Sequence, residues 1–179
     1  MYNIDIGLLN SAYLFYLMRG YKPLSAPMIV DKDISDLTLP EGREAKEHLG
    51  QVYVGSAEQS FYQLLKDGLK PEGSYMMLTP CHRDEVNDKL HLDIFLKIEL
   101  VSVDATYVNI AKDVFDFYTA LGEKPETRFE GSALGLDIEI DSVEVGSFGY
   151  RIYDSYMVNY GTGLALPRFS QVRGVKYED

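Results

Sequence analysis

An unbroken alternation constrains this chain more than any other feature. Leu90, Leu92, Ile94, Leu96, Ile98 and Leu100 place an apolar side chain at every second position. A period of two belongs to a strand with one buried face. The spacing predicts a strand over residues 90–103, with His91, Asp93, Phe95, Lys97 and Glu99 on the opposite face. A solvent face commonly carries such charges, but a phenylalanine between them is less usual there.

Three helices are expected around this strand. Residues 3–19 carry Ile4, Leu8, Ala12, Phe15 and Met18 at helical spacing, with Gly20 as the stop. A second helix starts near Ser56, where Ser56 and Gln59 form an S-x-x-Q capping box. Phe61, Leu64 and Leu65 supply its apolar face, and Gly68 ends it. A third spans 107–121, with Ala111, Val114, Phe115, Tyr118 and Leu121 inward and Gly122 as its stop. Residues 21–30 read as extended because Pro23 and Pro27 disfavour helix. Residues 31–42 read as a polar loop, 70–73 as a turn and 75–79 as a strand. Strands over 134–140 and 143–147 are joined by the short turn Asp141-Ser142, and 159–166 reads as a glycine-rich turn leading to Pro167-Arg168. Helices interspersed with hairpin-linked strands predict an α+β fold built on a mainly antiparallel sheet.

Charge narrows the function classes. With 17 basic and 28 acidic residues the net charge is −11, which argues against DNA and against broad nucleic-acid binding, where clustered cations displace counterions. It also disfavours an anionic membrane surface, while leaving room for a local basic pocket that takes phosphates. The single cysteine, Cys81, excludes an internal disulfide and a cysteine-based zinc site, and reads as a small buried filler. The longest apolar run, residues 12–18, is too short to span a bilayer. No basic leader opens the sequence, so a cytoplasmic protein is expected. His48, His82 and His91 share no metal-ligand spacing, and neither a phosphate-loop motif nor a nucleophile elbow is present.

Several residues have the chemistry of a site. If Asp141-Ser142 is a two-residue loop, Glu139 faces Glu144 across the strands, and like charges directly opposite repel. A divalent cation completed by phosphate oxygens would hold them, with Ser147 adding a hydroxyl; a solvated acidic hairpin is the alternative. Arg83, in Pro80-Cys81-His82-Arg83-Asp84-Glu85, can grip a carboxylate or phosphate, with Glu85 to orient it, or form a surface ion pair. Phe95 can stack on a planar base or pack partly into the core. Arg168 closes Gly161-Thr162-Gly163-Leu164-Ala165-Leu166-Pro167-Arg168, whose glycines permit close backbone approach.

The order of these features resembles the catalytic core of class II aminoacyl-tRNA synthetases. The helix over 3–19 followed by Gly20-Tyr21-Lys22-Pro23-Leu24-Ser25-Ala26-Pro27 is similar to that family's first motif. Leu78-Thr79-Pro80-Cys81-His82-Arg83-Asp84-Glu85 and Phe95-Leu96-Lys97-Ile98-Glu99-Leu100 are similar to its second, and the run from Gly161 to Arg168 to its third. Thr79-Pro80-Cys81, Lys97-Ile98-Glu99-Leu100 and Ser56-Ala57-Glu58 look most like the seryl branch. The resemblance implies one catalytic domain over residues 1–179 without an anticodon-binding domain, its antiparallel sheet flanked by helices. It implies ATP-dependent activation of an amino acid to an aminoacyl-adenylate, with ATP and Mg²⁺ bound and a homodimer formed. In that scheme Arg83 holds the α-phosphate and the amino-acid carboxylate. Glu85 lies near the adenine amino group, Phe95 stacks on the base, and Arg168 meets the γ-phosphate. Glu144 and Ser147 hold metal with Glu139 nearby, while Glu58 binds the substrate ammonium and Glu99 faces its side chain. His82 stands where the family usually has phenylalanine, and only nine residues separate Glu85 from Phe95. The aminoacyl acceptor is open between tRNA, a carrier protein and a small molecule. The rival classes are a non-catalytic amino-acid-binding paralogue, expected to lose charged site residues that are present here, and a module serving only interaction.

Overall fold

The computed structural model describes residues 4–39, 42–84, 92–129 and 135–174, with the side chain of His48 left aside. Along the chain come α1 (Ile6–Met18), β1 (Lys22–Pro23), β2 (Ile29–Val30), α2 (Lys32–Asp36), β3 (Glu47–His48), β4 (Gln51–Tyr53) and α3 (Ala57–Lys66). There follow β5 (Ser74–His82), β6 (Ile94–Ser102), α4 (Tyr107–Ala120), β7 (Glu126–Phe129), β8 (Leu136–Ile140), β9 (Val143–Tyr153), β10 (Tyr156–Leu166) and α5 (Arg168–Val172). Seven strands form one sheet in the order β1-β5-β6-β10-β9-β8-β7, and β2, β4 and β3 form a small second sheet. The large sheet is antiparallel except at its edge, where β1 runs parallel to β5. This is the α+β architecture the patterning predicts. Among the described residues no helix is long and apolar enough to cross a membrane.

The alternating run becomes β6, although Leu90 and His91 lie outside the described residues, Ile94 at the strand's start is 49% exposed, and Lys97 and Glu99 on the opposite face are buried. Ile98 and Leu100 enter the larger core with α1 and α4, where Leu8, Ala12, Tyr16, Val114, Phe117 and Tyr118 are buried. The α1 stripe differs from the expected one. Leu8, Ala12 and Tyr16, each four residues apart, point inward, while Met18 is 81% exposed. Tyr16 also donates its hydroxyl proton to the carbonyl of Gly163 at 2.7 Å, tying the helix to β10. In α4, Thr106 and Asn109 cap each other reciprocally; Phe115 and Leu121, expected inward, pack at the edge of the core. On the other face of the sheet α3 lays Phe61 and Tyr62 over Met77, Val101 and Val158. Burying a ring such as Phe61 is worth about 2–3 kcal/mol.

Three sequence expectations change. Residues 31–42 are not wholly loop: α2 forms because its polar groups find tertiary partners. The Gln59 amide nitrogen donates to the Ser35 carbonyl (3.1 Å) and to Thr38 Oγ1 (2.8 Å), and Asp31 N–H donates to Gln63 Oε1 (2.9 Å). Those same contacts break the expected capping box. Ser56 caps α3, but Gln59 Oε1 accepts from Gly55 N–H (2.7 Å) rather than from the cap residue. Finally, 159–166 is strand, not turn. A Cβ on Gly161 would lie 2.1 Å from the Phe148 ring, and one on Gly163 would lie 3.0 Å from Tyr16. The glycines serve packing within β10 rather than reversal of the chain.

Candidate active site

Where α3 and α2 leave the sheet uncovered, a cavity of about 470 Å³ opens over β6, β10 and β9. Two irregularities in the strands aim residues into it. Between Thr162 and Leu164 the pairing of β10 with β6 shifts register, leaving Gly163 as the extra residue. Parity changes there, so Thr162 and Ala165 line the cavity while Leu164 and Leu166 enter the core. The second shift lies in the β8–β9 hairpin. Asp141 and Ser142 both have positive φ (51° and 64°), as a two-residue loop between twisted strands requires. Ile140 then pairs with Val143 and Glu139 with Glu144, as the spacing predicts. The shift beyond that pair brings Ser147 opposite Asp137. Residues three apart normally face opposite sides of a strand; here the bulge puts Glu144 and Ser147 on one face.

Arg83, Phe95, Arg168, Glu58, Glu99, Glu144 and Ser147, all expected from the sequence, line this one cavity. Glu139 does not. It stands one strand further out with Arg128 Nη1 at 3.1 Å, while Arg168 Nη1 lies 3.8 Å from Glu144. Each of the two carboxylates thus has an arginine beside it, which offsets part of the repulsion expected between them. Glu85 lies outside the described residues, so its expected role beside Arg83 is neither met nor opposed. Instead Arg83 Nε donates to the Gly55 carbonyl at 3.3 Å, and its guanidinium carbon lies 5.0 Å from the Phe95 ring centroid. That contact gives Phe95 a cationic neighbour and fixes a flat surface at the cavity wall. His82 packs its ring 4.8 Å from that of Tyr53, and burial holds its imidazole below the usual histidine range.

The floor is polar and buried. Lys97 Nζ lies 2.6 Å from Glu99 Oε2, and both side chains are buried. Ser56 donates to the same Glu99 oxygen, so the α3 cap is bonded to β6. Breaking such a buried pair from one side typically costs 3–5 kcal/mol. Beside it, Glu58 accepts from Tyr62 Oη (2.6 Å) and from Arg151 Nε (2.9 Å). Burial pushes the Glu58 carboxyl up to about 7, against the pull of Tyr62 and Arg151. Cys81, at the edge of this floor, is buried with its thiol pushed up to about 12, an inert state for sulfur. Sequence reasoning missed Arg151 and Tyr62. Tyr62 stands one helical turn after Glu58, and Arg151 shares the strand face of Ser147 by simple alternation. Ending the strand at Ser147 hid the second signal.

A metal would find an incomplete donor set. Glu144 offers a half-exposed carboxylate and Ser147 a hydroxyl on the same face. Among the described residues no group of three His, Cys, Asp or Glu side chains could hold an ion unaided. Such a pair fits a hard cation whose shell is completed by phosphate oxygens and water.

No protein-family model matches the chain, and no curated protein does. Solved structures do. The chain is similar to pyrrolysyl-tRNA synthetase from Desulfitobacterium hafniense, with a TM-score of 0.74 over 94% of this chain and 69% of that one, at 16% identity. It is also similar to the cytoplasmic serine-tRNA ligase of Naegleria fowleri, solved with AMP, with a TM-score of 0.72 over 92% of this chain at 16% identity. It spans 46% of that ligase's length. Sheet order, flanking helices and these two likenesses agree: the chain has the fold of a class II aminoacyl-tRNA synthetase catalytic domain.

Proposed function

We propose that this chain activates an amino acid with ATP, forming an aminoacyl-adenylate and releasing pyrophosphate. One observation carries the reading. Two arginines far apart in sequence, Arg83 after β5 and Arg168 at the start of α5, line the same cavity as a buried carboxylate floor. Cations above carboxylates suit a ligand pair that is anionic at one end and ammonium-bearing at the other.

In this reading a carboxylate oxygen of the amino acid attacks the α-phosphorus, and the bond from that phosphorus to the pyrophosphate oxygen breaks. No proton needs to move and no covalent enzyme intermediate forms. Arg83 holds the attacking carboxylate and the α-phosphate together, which replaces a bimolecular encounter by a fixed approach. Its bond to the Gly55 carbonyl and its contact with Phe95 set its position beforehand. Arg168 stabilises charge on the departing pyrophosphate. Phe95 offers its ring to the base. Glu58 takes the substrate ammonium, and Glu99, held by Lys97 and Ser56, meets the side chain. Mg²⁺ held by Glu144 and Ser147 would neutralise phosphate charge. The acceptor is tRNA or a carrier protein, and the active form is a homodimer. Isotope exchange between pyrophosphate and ATP, run with each of the twenty amino acids, tests the reading. Exchange with one of them supports it; ligand binding without exchange would mark an amino-acid-binding paralogue.

A further inference from the structure

Glu58 is held in an unusual way for a group that must take a ligand. It lies in the first turn of α3 and is 5% exposed. Tyr62, one turn further along the same helix, donates to Glu58 Oε1 at 2.6 Å. Arg151 reaches over from β9 and its Nε donates to the same oxygen at 2.9 Å. Both bonds thus fall on one carboxylate oxygen. A carboxylate has room for about four hydrogen bonds, two per oxygen, so these two bonds leave acceptor capacity for a ligand in the cavity that Glu58 lines.

We propose that Tyr62 and Arg151 are positioning residues for amino-acid binding: by holding Oε1 of Glu58 they keep the side chain in one orientation and keep it ionised for the substrate's ammonium. This rests on the reading of Glu58 given above and adds two residues to it. Both act through Glu58 in this proposal, Arg151 from the wall of the same cavity. The physical need is plain. A carboxyl this deeply buried drifts toward its neutral form, and a neutral acid has no charge to offer a cation. Among the described residues the groups that act on Glu58 come from three elements. Tyr62 comes from its own helix, Arg151 from β9, and Lys97 and Glu99 from β6. Tyr160 of β10 lies beneath the Arg151 guanidinium, 5.7 Å from ring centroid to carbon. Tyr62, Arg151 and Lys97 favour the ionised form, while Glu99 and burial oppose it. Lys97 is itself committed to Glu99 at 2.6 Å, so the contacts that touch Glu58 carry most of the task.

The test is the pH dependence of pyrophosphate exchange, using whichever of the twenty amino acids supports exchange best. In the wild type, KM for the amino acid falls as pH rises through about 7, where Glu58 ionises. Tyr62→Phe keeps the ring and removes the bond, and Arg151→Gln removes the charge. In both, that fall moves to higher pH, and KM at neutral pH rises about tenfold while kcat and the KM for ATP change little. Arg151→Lys recovers part of the loss. A change in packing alone would leave the pH midpoint in place. If Arg151→Gln fails to fold, Tyr62→Phe carries the result. A wild type that exchanges, with midpoint and KM unmoved in Tyr62→Phe, overturns this inference alone. A wild type that exchanges with no amino acid overturns both it and the proposed function.

Discussion

Burial of Glu58 makes the stability of the fold depend on pH. Its carboxyl ionises near 4.5 in an unfolded chain and is pushed up to about 7 in the folded one. Across that window the folded state keeps a proton that the unfolded state has lost. This group's contribution to stability is therefore present at low pH and declines as pH rises from about 4.5 to about 7. Glu58→Gln removes the titration. The wild type's unfolding free energy, measured against that variant by denaturant at successive pH values, is expected to fall by on the order of 2–3 kcal/mol across the window. The difference between the two proteins is the quantity to follow, because the net charge of −11 weakens both as pH rises. Gly161 makes a second prediction at this scale. A methyl group there would lie 2.1 Å from the buried Phe148 ring, so Gly161→Ala should destabilise by about 1–3 kcal/mol in thermal or chemical unfolding. The two positions also differ in how plainly the sequence shows them. Phe95, Lys97 and Glu99 are readable because alternation places them on the polar face of an apolar strand. Arg151 and Tyr62 become visible only when β9 is drawn to full length and its face is brought against α3, which tertiary packing alone does.

In the proposed function, the element that organises the phosphate end is the β8–β9 hairpin. Its turn and the Glu139–Glu144 pairing follow from the two polar residues between alternating apolar ones. The bulge beyond them has no comparable signature, and it alone puts Glu144 and Ser147 on a common face. Glu144 is half exposed and 3.8 Å from Arg168, a weak surface pair. Glu144→Gln should therefore leave stability within about 0.5 kcal/mol while sharply reducing ATP-dependent exchange. An unchanged exchange rate would return the hairpin to a solvated acidic face. The α2 segment was illegible for the opposite reason. Its sequence is as polar as a loop, and what makes it a helix is a set of hydrogen bonds with Gln59 and Gln63, 21 or more residues away. The glycine-rich stretch misled because glycine marks close packing as readily as a turn.

At the scale of the whole molecule, α1 exposes more apolar surface than a monomer needs. Ile6, Leu14, Leu17 and Met18 are all turned outward while Leu8, Ala12 and Tyr16 fill the core. The proposed homodimer would cover that face, and sedimentation at micromolar concentration should find two copies. Leu14→Lys with Leu17→Lys should shift the equilibrium to monomer, and added salt should favour the dimer by screening two chains of charge −11. The central claim, however, is chemical. It is tested most directly by pyrophosphate–ATP exchange with wild type and Arg83→Ala side by side, each checked for an intact thermal transition. The account predicts exchange dependent on one amino acid in the wild type and a loss on the order of a hundredfold in Arg83→Ala, because the arginine acts on charge that develops in the transition state. Exchange in Arg83→Ala at a rate close to wild type, or a folded wild type that exchanges with no amino acid, would contradict it.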